Sequence, residues 1–310
     1  MTPRRPRVFG VDYQFLACGD VFTRGLAHAA QDLGLEYAHA EARQPDLHDR
    51  VRFFSPDLLF VVHGRHATPR LNDLIPRSRS AVWLLDEPYE VDDTSRFAKP
   101  YERVFVCDQS TLHRHANATY LPTCYDPHEH WPGDDPRTFP VGFVGGANRV
   151  RERYLVALAR AGLLGYVIGG RWQSPSVNRL CAAGNVSPRE TAARYRRTQI
   201  VLNVWRETHH FNREHVPATA LNPRVYEAFA CGALVVSEWR PEAETLLPEM
   251  PTFRSEEECV ALVQGLLNEP ERMEQVRAAC AARLAPHTYA ARLRTVLATC
   301  GLPVPAEEAA

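Results

Sequence analysis

Lysine is all but missing from this 310-residue chain: Lys99 is the only one, and every other basic charge is an arginine. The arginine fork suits phosphate, but the bias runs through the whole chain and reads first as codon composition. Net charge is −1. A protein that coats nucleic acid needs a net basic face, so this balance argues against one. Eight cysteines occur without a Cys-x-x-Cys pair. They sit in apolar stretches such as Val106-Cys107 and Ala230-Cys231-Gly232, as small buried residues rather than a disulfide frame or zinc site. A reducing, cytoplasmic compartment is expected. No apolar run is long enough to cross a bilayer, and the first residues carry no signal-peptide core. A Gly-x-Gly-x-x-Gly after the first strand, a Walker loop and a His-Glu-x-x-His are lacking too, which weighs against dinucleotide, ATPase and zinc-protease chemistry.

What is present is ordinary globular composition, 45% hydrophobic and 24% charged, with length for two domains. Short β-branched and aromatic runs alternate with helical patterns. Strands are expected at 7–11, 58–62, 81–85, 104–106, 141–144, 166–168, 200–204 and 233–237. Most are apolar throughout, as parallel strands covered on both faces are. Asp20 and Gly34 bracket one helix, Ser187 to Glu190 form a capping box, Pro223 and Gly232 bracket another helix, and Ser255 caps a third. Residues 121–136 are rich in proline and turn formers and read as a linker. The pattern predicts an α/β protein of two Rossmann-like doubly wound domains facing a cleft. Their expected bounds are 1–132 and 133–285, with 286–310 a C-terminal helix and tail packing back on the first domain. Ligands of such sheets sit at the carboxyl ends of the strands.

The strongest local signal runs from Asn222 to Ser237, Asn-Pro-Arg-Val-Tyr-Glu-Ala-Phe-Ala-Cys-Gly-Ala-Leu-Val-Val-Ser. Pro223 opens a helix whose free N–H groups attract phosphate. Arg224 lies in its first turn, where the fork can hold two diphosphate oxygens. Glu227 shares that face three residues on and can accept from a ribose diol. From spacing alone, an i,i+3 ion pair between Arg224 and Glu227 explains the same residues. The segment resembles the nucleotide-sugar motif of glycosyltransferases with the GT-B architecture, most of all the spore-maturation CgeB-like group. Three further stretches match that group in order: Leu121-Pro122 with Asp126 to Pro132, Val141 to Gly146, and His287 to Arg292. The resemblance covers roughly residues 100 to 295.

The resemblance implies transfer of a sugar, as in a hexosyltransferase, from a nucleoside diphosphate donor such as a UDP-sugar, without a metal or other cofactor. It implies that Glu227 holds the ribose and that Gly145 and Gly146 lie against the diphosphate. Asn148, Arg149, Asn203, His210, Asn222, Pro223 and Arg224 are further expected donor contacts, and Arg171 and Trp172 are expected near the base. Many retaining relatives carry two glutamates eight positions apart here. This chain has Thr219 at the first, with Glu214 or Glu207 as displaced candidates. Asp86, then His63 and Asp12, each at a strand's carboxyl end, are the candidates to steer or deprotonate an acceptor. His209, His210 and His215 lack metal-ligand spacing. The acidic run Glu90 to Asp93 and the pair Asp134-Asp135 read as solvated turns. A non-catalytic nucleotide-sugar binder and a sugar-nucleotide epimerase remain competing readings.

Overall fold

The computed structural model describes residues 4–13, 19–65, 67, 71, 73–206 and 211–305. The chain divides into two compact units. The first comprises Met1–Asp126, Thr208–Ala220 and His287–Ala310; the second comprises Pro127–Glu207 and Leu221–Pro286. The break between Asp126 and Pro127 falls inside the proline-rich stretch. The second unit therefore starts earlier than the expected 133, and it cedes 208–220 to the first.

In the first unit, β1 (Arg7–Asp12), β2 (Glu36–Glu41), β3 (Leu58–Val62), β4 (Ser80–Leu84), β5 (Arg103–Val106) and β6 (Ala118–Tyr120) form one sheet. Its order is β2-β1-β3-β4-β5-β6, and every pair is parallel. The strands β3 and β4 are buried at every position, so they read as unbroken apolar runs. One face packs Val8, Phe60, Trp83 and Phe105 beneath α1 (Gly19–Asp32) and α11 (Tyr289–Thr299). The opposite face packs Phe9, Leu59, Val82 and Val104 with α2 (Leu47–Phe54) and with Ala98 of α3 (Val91–Ala98). Each large side chain so buried contributes about 1.5–3 kcal/mol. The last helix is pinned from its own side: buried Arg292 donates to Pro122 O at 2.8 Å and Thr123 O at 3.0 Å.

The second unit repeats the plan with β7 (Phe139–Val144), β8 (Leu164–Ile168), β9 (Cys181–Ala183), β10 (Thr198–Asn203), β11 (Leu234–Glu238) and β12 (Thr252–Phe253). The order is β12-β11-β10-β7-β8-β9, again all parallel. Around it lie α4 (Arg149–Arg160), α5 (Pro175–Asn178), α6 (Pro188–Arg196), α7 (Pro223–Ala230), α8 (Pro241–Leu246), α9 (Glu256–Asn268) and α10 (Pro270–Leu284). The expected box at Ser187 forms in full: its side chain accepts from Glu190 N while Glu190 reaches back to Ser187 N. Pro223 starts α7, and Gly232 at φ +78 turns the chain into β11. No helix among the described residues is long and apolar enough to cross a membrane.

Candidate functional site

In the second unit the chain leaves β7 toward β8 on one side and returns to β10 on the other. The gap between the carboxyl ends of β7 and β10 is the switch point where doubly wound sheets take ligands. Arg224 spans it. Its Nε donates to Val144 O at the end of β7, 2.8 Å away, and its Nη1 donates to Asn203 Oδ1 at the end of β10, 2.5 Å away. Its guanidinium lies 5.1 Å from the Phe143 ring centroid. A Cβ on Gly145 would stand 2.8 Å from Arg224 Nη2, so glycine leaves that end of the fork approachable. Arg151 comes to the same loop, donating to Gly146 O at 2.9 Å and Val204 O at 3.0 Å.

The start of α7 adds its own partial charge. Pro223 has no N–H to satisfy, and Asn222 makes no side-chain cap; its Nδ2 donates to Asn203 Oδ1 at 3.0 Å. Two guanidiniums and a helix amino end around a glycine loop make a seat for phosphate oxygens. Glu227 lies on the same helix and is 7% exposed. Burial raises its pKa, opposed in part by His130 and Arg224. The i,i+3 pairing is not what Arg224 makes: its hydrogen bonds go to the two strand ends.

Asn148 caps α4, accepting from Arg151 N at 2.8 Å. Arg149, the first residue of that helix, is exposed. Side chains lean back toward a helix's amino end, so the arginine at the third position, Arg151, reaches the glycine loop. The sequence reading passed Arg151 over, although the Asn148 cap signal marks its position. Trp172 is buried, donates to Gly169 O at 2.7 Å and meets Phe143 edge-on at 5.9 Å. It serves as a wall. Arg171 beside it is exposed, with φ +71. Gly169, at φ +122, comes so close to the loop that a Cβ would lie 1.9 Å from Gly145 O.

The segment before α7 is held in the first unit. Asp108 accepts from Thr219 N at 2.7 Å, from the Thr219 hydroxyl, and from Ala220 N at 2.9 Å. Glu214 is exposed and ion-paired to Arg114 at 2.7 Å, which lowers its pKa. His210, with Glu207 and His209, lies outside the described residues.

Among the described residues of the first unit, histidine–carboxylate pairs lie at the carboxyl ends of β3 and β1, with a further buried pair, His115 and Glu87, after β4. His63 Nε2 is 3.1 Å from Asp86 Oδ2 and 3.6 Å from Glu90 Oε2, and Arg65 Nη2 is 2.7 Å from that same Glu90 oxygen. Tyr13 stacks on the His63 ring with centroids 4.0 Å apart. Burial opposes a charge on His63, but its hydrogen bonds to Asp86 and Glu90 outweigh this and hold its pKa above the usual value. Glu90 is thus not a solvated turn residue, because the turn brings it under Arg65. His63, Asp86 and Glu90 together could offer three ligand atoms to a metal, yet Arg65 already supplies a cation there. The second pair is His39 Nδ1 with Asp12 Oδ2, at 2.6 Å.

These geometries can be set beside known proteins. Residues 149–298 match a family model described as glycosyl transferase-like. No curated protein matches the chain by sequence. An α-glucosyltransferase solved with UDP and a 13-mer DNA shares 11% identity over 96% of this chain and 100% of that one, at a TM-score of 0.69. A DNA-modifying β-glucosyltransferase shares 12% identity over 96% and 100%, at 0.61. A putative UDP-N-acetylglucosamine 2-epimerase from Listeria monocytogenes shares 9% over 99% and 100%, at 0.59. The structural likenesses establish a shared two-sheet α/β fold. The family match extends over residues 149–298 and marks that part of the chain as similar to glycosyl transferase-like proteins.

Proposed function

We propose that this protein transfers a hexose from a UDP-sugar to an acceptor hydroxyl, as a CgeB-like, metal-independent glycosyltransferase of the cytoplasm. The observation that carries the reading is Arg224 bridging Val144 O and Asn203 Oδ1 at the β7–β10 switch point, beside a glycine loop that Arg151 also reaches. In this reading the diphosphate rests on Arg224, Arg151 and the start of α7, with Gly145 and Gly146 against it. Glu227 accepts from the ribose hydroxyls. As the bond from the anomeric carbon to the phosphate oxygen breaks, these fixed positive groups take up the charge on the departing UDP. The acceptor oxygen bonds to that carbon, and its proton passes to Asp86, with His63 beside it.

The α-glucosyltransferase and β-glucosyltransferase neighbours, solved with UDP or UDP-glucose, support the donor class. A thermal-shift screen of UDP and UDP-sugars tests it. UDP is expected to raise the melting temperature, and Arg224→Ala to shrink the rise at the same UDP concentration. No shift with any sugar nucleotide would overturn the reading. The epimerase neighbour keeps one alternative in view. Isomerised UDP-sugar formed without an acceptor would favour it.

A further inference from the structure

Beside the His63 cluster, the first unit has a cleft of about 400 Å³ at the carboxyl ends of β1 and β2. Six polar residues line it, Asp12, Thr23, His39, Glu41, Gln44 and Arg50, together with two alanines of β2. Asp12 is 2% exposed. One of its carboxylate oxygens is bound by His39. The other, Oδ1, is buried and has no hydrogen-bond partner among the described residues. A buried carboxylate oxygen left unpaired is costly, so a ligand group that reaches it and donates to it is stabilised.

The charge balance narrows the ligand. Asp12 and Glu41 are negative, Arg50 is positive, and His39 is drawn toward its charged form by its hydrogen bond to Asp12. The two carboxylates are offset by Arg50 and by the His39 ring that binds Asp12, so no strong field of one sign is left to select an ion. What remains is a dense alternation of donors and acceptors. Carboxylate, amide and hydroxyl groups beside an apolar floor match the vicinal hydroxyls and C–H faces of a sugar. A cleft of this volume holds one or two sugar rings.

We infer that this cleft is a binding site for a neutral carbohydrate, with a sugar hydroxyl donating to Asp12 Oδ1 and the cleft walls reading its neighbours. Given the proposed glycosyl transfer, on which this assignment of role rests, the occupant is the acceptor, and the acceptor is a sugar rather than a peptide or nucleic acid.

Saturation-transfer NMR on the full chain, with glucose, galactose, mannose, N-acetylglucosamine and maltose, tests the site. At least one is expected to bind in the millimolar range. Thr23→Trp, which fills the cleft from α1, and Asp12→Asn, which keeps the shape but removes the anion, are each expected to weaken binding at least tenfold. UDP binding, followed separately, is expected to stay within twofold in both variants. Sugar binding unchanged in both variants overturns the assignment, as does the absence of binding by every sugar in the panel. Glucosamine or glucose 6-phosphate binding tenfold tighter than glucose overturns the neutral class. Sugar binding without any UDP binding would sink the donor reading while leaving the cleft in place, so the two failures are distinguishable.

Discussion

Replacing Arg224 by alanine is the perturbation on which the donor site stands or falls. Two effects have to be separated. The first is structural: Val144 O and Asn203 Oδ1 each lose a charged donor. Asn203 Oδ1 keeps the Asn222 amide, so the main loss is at Val144, and about 1–3 kcal/mol of stability is expected to go. The second is in binding. A charge-assisted bond from guanidinium to phosphate contributes roughly 1.5–3 kcal/mol, which converts to about a 10- to 150-fold rise in the dissociation constant for UDP. Calorimetric titration of UDP, run well below the melting temperature of each protein, reads the second effect free of the first. Arg224→Lys refines the test. A lysine keeps the charge but cannot span both strand ends, so it should fall between alanine and the parent. UDP affinity within threefold of the parent in folded Arg224→Ala would refute the argument that this arginine marks the phosphate seat.

Three further outcomes follow from the same geometry. Arg151→Ala should weaken UDP binding by about tenfold or more, and Arg149→Ala should leave it nearly unchanged, because only Arg151 reaches the Gly145–Gly146 loop; titration of the two variants side by side checks this. Gly169→Ala should cost about 3 kcal/mol or more in denaturant unfolding, since a Cβ meets Gly145 O and φ is positive; a loss under 1 kcal/mol would contradict the close approach of the two loops. Burial raises the Glu227 pKa, so the folded chain holds that proton more tightly than the unfolded chain. Stability then falls as pH climbs from the ordinary carboxylate range through the raised value. Glu227→Gln removes this penalty. It should melt higher than the parent near pH 8, with the advantage shrinking toward pH 4, while its UDP affinity falls.

How much of this was legible in the sequence follows the physics of burial. The central strands β1, β3, β4, β5, β7, β8, β10 and β11 all stood out, because a strand covered on both faces must be apolar throughout. The four strands that the reading missed are β2, β6, β9 and β12, and they are the four edges of the two sheets. Glu36–Glu41 alternates alanine with charged and polar residues, and Thr252–Phe253 is two residues long. An edge strand needs little apolar surface and is better kept short or charged, so its signal is weak for a physical reason. The caps at Ser187 and Ser255 were legible because capping chemistry is local, whereas Asp20 lies in the first turn of α1 rather than before it.

The site divides along the same line. Arg224 and Glu227 could be found because a proline-started helix announces its amino end. Arg224's bridge to Val144 and Asn203 joins residues 80 and 21 positions away, and no spacing rule contains it. The same holds for the first unit, where His39 meets Asp12 across 27 positions and His63 meets Asp86 across 23. In each pair the partner arrives on a neighbouring strand or the loop after it, so parallel register decides which polar groups meet. This is also why Thr219 looked like a lost glutamate. Alone in the sequence it marks a missing group. In the fold its N–H and hydroxyl, with Ala220 N, satisfy the buried carboxylate of Asp108. A glutamate at that position would set a second negative charge against Asp108. The departure therefore carries a structural compensation: the threonine ties this segment to Asp108, and in the proposed donor reading the sugar is left to other groups.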